Sequence, residues 1–252
     1  MKRPARDWGG ILVAFAFVIV MSVLSKALPI NGQSMPEFSA KYPSLFTPAG
    51  FTFSIWGVIY LFLLLFVVWQ ALPAQRDSEK IGAISTYFQV NCLLNGLWIL
   101  AWHYDLLVIS LVIMLGILLT LVFIYRSLLA RIDTAPMTEH LVLYMPFSLY
   151  TGWITLATIA NASVLQTANG WDDVVLTVVQ WTLIKLALAG AIGVTVLCKY
   201  RDPVFAAVLV WGTYGISVMQ RGTPTVAGAA ATLSILTAIL IAFELASRIR
   251  KR

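Results

Sequence analysis

The chain has 252 residues, 60% hydrophobic and 11% charged, with a mean hydropathy of +0.87. Soluble domains sit near about 45–50% apolar and about 25% charged, so this composition excludes a water-soluble globular protein and points to an integral membrane chain. The net charge of +6 would suit a nucleic-acid partner, but the placement of the basic residues between apolar spans excludes one.

A bilayer core about 30 Å thick takes roughly 20 mostly apolar residues per helix. Eight stretches qualify: 8–28, 48–72, 82–103, 105–126, 139–166, 173–198, 203–220 and 225–247. Breakers separate them: Pro29, Asn31 and Gly32; Pro73; Pro136; Asn169 and Gly170; Asp202 and Pro203; Gly222 and Pro224. The basic start "MKRPAR" has the look of a signal-peptide n-region. The apolar run behind it is long, however, and no A-x-A site follows, so it is read as a helix.

Lys and Arg concentrate on the cytoplasmic side of membrane proteins. With the N-terminus inside, thirteen of the seventeen Lys and Arg residues fall on the inner side. Lys26, Lys41 and Arg221 fall outside, and Lys185 lies within the sixth span. The expectation is a multi-pass protein of the cell (inner) membrane with both termini cytoplasmic. Its basic residues then face lipid headgroups.

The second span opens with "FTPAGFTFSIWGVIY", in which Phe53, Trp56 and Tyr60 share a helical face by their spacing of 3 and 4. In the third, Tyr87, Asn91, Asn95, Trp98 and Trp102 form one stripe; in the fifth, Trp153, Ala157 and Asn161 do so. Amides are costly against lipid, so these faces are expected to turn inward. The topology places Phe51 to Tyr60, Asn95, Trp98 and Asn161 in the outer half, with Trp153 nearer the middle. Stacked rings with a few amides suit a pocket for a flat, largely apolar ligand. The competing reading is packing glue, above all for Asn91.

Small residues in the sixth and eighth spans (Ala187, Ala189, Ala191, Gly193; Ala227, Gly228, Ala230, Ala231) predict close helix packing. Trp211 and Tyr214 are read as packing residues, with a pocket wall as the alternative. Lys185 raises a retinal Schiff base, but no acid sits mid-span as its counter-ion, so that reading is set aside in favour of structural burial or snorkelling, with contact to an acidic ligand as the alternative. Cys92 and Cys198 lack metal or disulfide spacing. His103 and His140 fall at opposite membrane faces. No catalytic constellation and no metal site emerge, and an enzyme is not expected.

These motifs resemble the TspO/MBR family, the tryptophan-rich sensory proteins related to the translocator protein. Pro48, Phe51, Phe53, Trp56 and Tyr60 follow its aromatic entry to the second helix. Asn95 and Trp98 match its N-x-x-W element, and Trp153, Ala157, Thr158 and Asn161 its W-x-x-x-A-T-x-x-N element. The sequence departs in having "TPAG" for the usual Pro-Pro pair and Phe51 for a common Trp. Pro146 also stands about one turn further upstream of Trp153 than is usual.

The resemblance implies an all-α, five-helix membrane domain over residues 1–166, here followed by a three-helix extension over 167–252. It implies ligand contacts at the eleven family positions just named. It also implies a tetrapyrrole (porphyrin-type) or sterol-like partner without an obligatory cofactor, a sensory or carrier role, and a homodimer as the candidate assembly. The alternative is a secondary transporter of a small amphipathic molecule, although no internal repeat is visible. An enzyme acting on a bound tetrapyrrole is a weaker third reading.

Overall fold

The computed structural model describes residues 3–28, 30–32, 41–130 and 135–250. Pro29, Lys2, Arg131, Lys251, Arg252 and the side chain of Lys26, all used in the sequence reading, lie outside the described residues. Among the described residues there are eight long helices and no strand. They are α1 (Ala5–Ala27), α2 (Ile55–Ala71), α3 (Glu79–His103), α4 (Leu107–Leu129), α5 (Met137–Ala168), α6 (Val178–Tyr200), α7 (Pro203–Met219) and α8 (Pro224–Arg250). Six of them are long and apolar enough to cross a membrane. The remaining two are α7, shorter at 17 residues, and α3, 25 residues long and carrying the amide stripe.

Two boundaries differ from the sequence reading by more than three residues. The expected helix start at 173 moves to Val178, because Thr177 and Gln180 form a reciprocal capping box there; a box of this kind satisfies two free amide donors at a helix start. The second span begins as a 3-10 turn over Gly50–Ser54 before the α-helix proper.

A third irregularity lies in α5, where His140–Tyr144 form a π turn just ahead of Pro146. Proline lacks an amide proton and its ring crowds the carbonyl four residues back, so a regular α-helix would be strained there.

The chain divides into two compact units, Met1–Tyr42 with Val58–Tyr150, and Pro43–Gly57 with Thr151–Arg252. The first unit is built on α3, which packs against α1 and α4. Its centre is a cluster of three fully buried rings. Phe66 lies 5.4 Å from Phe88 and 5.1 Å from Phe147, and Phe88 lies 5.8 Å from Phe147, all edge to face. Such geometry adds ring electrostatics to the burial of large apolar area. Gly96 lets α1 come close, for a Cβ there would meet the Phe17 ring at 2.4 Å.

At the N-terminal end of this unit the buried Arg3 donates to the carbonyl and side-chain oxygen of Gln70, at 2.8 and 3.0 Å. Gln70 in turn donates to the carbonyl of Trp8. The guanidinium thus meets one of the free carbonyls at the end of α2, a favourable place for a cation.

In the second unit α6, α7 and α8 pack on one another. Glycines set the spacing: a Cβ on Gly193 would meet Leu209 at 2.3 Å, one on Gly190 Leu233 at 2.8 Å, and one on Gly212 Leu156 at 2.4 Å. The small-residue stripes are only partly used. Ala189, Gly193 and Ala230 are buried, whereas Ala187, Ala191 and Gly228 are exposed.

Candidate functional site

The entry segment, residues 43–57, belongs to the second unit and is fastened to α7. Ala49 N–H donates to the Gly215 carbonyl at 3.0 Å, Trp211 Nε1 to the Thr52 carbonyl at 2.9 Å, and Gln220 Nε2 to the Thr47 carbonyl at 3.3 Å. Gly215 makes this approach feasible, since a Cβ there would lie 2.0 Å from Thr52 Oγ1. Phe51 packs edge-on against Trp211 at 5.4 Å and tilted against Tyr214 at 6.1 Å. Pro48 is half-buried within the same turn.

Beyond this turn, Phe53 and Trp56 both lie nearly perpendicular to Trp153, at 5.8 and 6.4 Å between centroids. Trp153 is 3% exposed, Phe53 43%. The indole Nε1 of Trp153 is buried and has no hydrogen-bond partner among the described residues. A buried N–H without an acceptor costs free energy, and indole N–H groups normally find a partner when buried. One turn further along α5, Ala157 is half-buried and Thr158 is buried, its hydroxyl donating to the Ile154 carbonyl at 2.7 Å. Thr158 thus offers a surface but no free donor. Asn161 is buried.

Three members of the sequence-derived set, Tyr60, Asn95 and Trp98, are placed in the first unit. Tyr60 shares a 2.8 Å hydroxyl–hydroxyl hydrogen bond with Ser22. Asn95 is buried and donates to the carbonyl and Oδ1 of Asn91, at 2.8 and 3.1 Å, and it is also hydrogen-bonded to Tyr150. Asn91 donates to Ile117 O and Thr120 Oγ1, which ties α3 to α4; it is the glue that the competing reading anticipated. Trp98 stacks on Trp102 at 5.3 Å, and its buried Nε1 has no partner among the described residues. Tyr87, expected on the inward stripe, instead lies exposed and stacked on Phe123 at 5.2 Å. It stands nearest the start of the stripe, where a polar interface makes exposure cheap.

In the same unit, Lys41 and Tyr42 both donate to Asp105 Oδ2. That bond to Asp105 holds the Lys41 ammonium above the ordinary lysine value. His103 Nδ1 donates to the Ile99 carbonyl at 2.7 Å, so the His103-Tyr104-Asp105 run is engaged in fixing the α3–α4 corner. Lys185 is half-buried and forms no ion pair among the described residues. Sequence spacing did not disclose the part played by Gly215, Ser22 and Tyr150. The one available signal was Gly212 and Gly215, three apart on α7.

An all-helical, multi-pass membrane protein with an aromatic entry segment leading into its second helix is the class these elements define. The sequence model of the family described as TSPO-like protein matches residues 9–243, and the chain belongs to that family. The match takes in α6, α7 and most of α8 as well as the first five helices. No curated protein and no solved structure matches the chain.

Proposed function

We propose that the protein binds a flat hydrophobic ligand, best suited to a tetrapyrrole of the porphyrin type, and serves as a sensor or carrier for it. The observation that supports this reading best is Trp153. Two aromatic rings pack nearly perpendicular to it, and its buried N–H has no protein acceptor among the described residues. A conjugated macrocycle offers a face for such rings, and its carboxylate or carbonyl edge offers the missing acceptor. Phe51, Phe53 and Trp56 would supply apolar walls, with Asn161 as a polar contact carried by the family motif.

The test is a tryptophan-fluorescence titration of the purified protein with a porphyrin panel, with bile pigments and sterols as comparators. Aromatic contacts contribute about 0.5–1.5 kcal/mol each beyond area burial. The double variant Trp56→Leu/Trp153→Leu should therefore bind about five- to 150-fold more weakly. Trp153→Phe, which keeps a ring and removes only the donor, should lose roughly five- to tenfold. Unchanged affinity in a folded double variant would place the ligand elsewhere. No tetrapyrrole binding by the wild type would favour the secondary-transporter reading.

For the topology, we infer an inner-membrane protein with both termini in the cytoplasm, on the strength of the basic-residue asymmetry. A fluorescent reporter that matures only in the cytoplasm should be bright at the C-terminus. A C-terminal phosphatase active only in the periplasm would refute the orientation.

A further inference from the structure

A polar cavity of about 310 Å3 lies at the N-terminal ends of α1 and α3, within the first unit, lined by Pro4, Arg6, Asp7, Ser85, Thr86 and Gln89. Its hydroxyls differ from five others that sit on the helices of the second unit. Thr155, Thr158, Ser163, Thr182 and Thr213 each donate to the carbonyl four residues back, at 2.7 to 2.8 Å. That is the usual way for a helix in lipid to satisfy a hydroxyl. Thr86 makes no hydrogen bond among the described residues, and the Ser85 hydroxyl only accepts one, from Gln89 Nε2 at 3.0 Å. Both keep a proton to donate.

The charges point the same way. Asp7 is engaged by Arg3 at 3.4 Å, and Arg3 is further held by Gln70. Arg6 has neither an ion pair nor a hydrogen bond among the described residues, so the three charged groups leave one positive charge at the cavity. Gly10 shapes the floor, because a Cβ there would lie 2.5 Å from Gln89 Oε1. An unpaired guanidinium with two hydroxyls that still have a proton to donate is a donor set for phosphate oxygens. Further along, the same two helices expose Val13, Val90 and Leu93, a surface of no use to a soluble anion but suited to acyl chains.

We propose that this cavity is a phosphate site filled by the headgroup of a membrane phospholipid, whose chains lie against the exposed apolar residues of α1 and α3. Arg6 and Thr86 are both exposed, so replacing them leaves the folded core intact.

The experiment is native mass spectrometry of the full-length protein. The probes are phosphatidylglycerol, a diacylglycerol of matched chains, and inorganic phosphate. The expected result is retention of phosphatidylglycerol, with affinity about tenfold lower in Arg6→Gln/Thr86→Val. Arg76→Gln removes a cation that stacks on Trp8 at 5.1 Å outside the cavity; it should stay within about twofold of the wild type. Thermal midpoints of all variants should match the wild type. Wild-type lipid affinity in the double variant, equal retention of diacylglycerol, or equal loss in Arg76→Gln would overturn the proposal. Retention of inorganic phosphate without phospholipid would reassign the site to a soluble source and overturn the lipid assignment.

Discussion

Phe147→Ala will destabilise the protein by about 3–5 kcal/mol, the usual cost of deleting a fully buried ring. Phe147 touches Phe66 and Phe88 edge to face, and all three are fully buried. Removing one ring forfeits its transfer free energy, opens a cavity between stiff neighbours, and ends two aromatic contacts of about 0.5–1.5 kcal/mol each. Phe147→Leu refills most of the space and should cost under about half as much. Thermal and denaturant unfolding in one detergent will compare the two. Equal and small losses would mean that the ring cluster is not the centre of the first unit.

Gly215→Ala should be the second most damaging change, at about 2–4 kcal/mol. Alanine gains about 1 kcal/mol over glycine in helix propensity, but its Cβ would come within 2.0 Å of Thr52 Oγ1 and 3.0 Å of Thr52 Cβ and Cγ2. Thr52 is fully buried and β-branched, so it cannot swing aside. The segment must retreat. Overpacking costs about 1–3 kcal/mol, and the weakened bonds from Ala49 N–H and Trp211 Nε1 add about 0.5–1.5 kcal/mol each.

The clash predicts its own remedy. Thr52 Oγ1 has no hydrogen-bond partner among the described residues, so Thr52→Ala removes the two outer atoms of the obstacle without breaking a bond and leaves only the Cβ at 3.0 Å. The double variant should recover most of the loss, with a coupling of about 1–3 kcal/mol between the two positions. Additive losses would show that the segment does not rest on α7 as described.

Much of the architecture was readable because a bilayer leaves few options. Eight apolar runs became eight helices, since the hydrocarbon core admits only structures that satisfy their own backbone. The start of α6 was misread because "WDDVVLT" carries Val174, Val175 and Leu176, which count as apolar, while the deciding signal was the Thr177–Gln180 box. Amides were good guides to burial: Asn91, Asn95 and Asn161 are all buried. Aromatic residues were poorer ones, since a ring such as Tyr87 is tolerated at an interface as well as inside. Alanine stripes were poorer still, because an alanine-rich helix offers small residues on every side.

Within the candidate site, the pairing of Phe53 and Trp56 with Trp153 is consistent with the motif order. The docking of residues 47–52 on α7 was not readable. It joins positions more than 150 apart in sequence through backbone carbonyls, which any residue supplies. The polar cavity was missed for a related reason. Its signal is the lack of a bond at Thr86 and Arg6, and spacing cannot show a missing bond.

The π turn at His140–Tyr144 has a consequence for helical phase. Met145 N–H bonds to His140 O, five residues back instead of four, so α5 carries one residue more than a regular helix of the same rise. One residue corresponds to about 100° of rotation. The two parts of the helix are therefore out of phase, and each is free to satisfy a different neighbour. Before the turn, Glu139 meets Lys80; after it, Phe147 enters the ring cluster. A heptad-style count run through residues 140–144 assigns one of these two residues to the wrong face. The extra residue lets a single continuous helix keep a charged contact at its end and a buried ring two turns later.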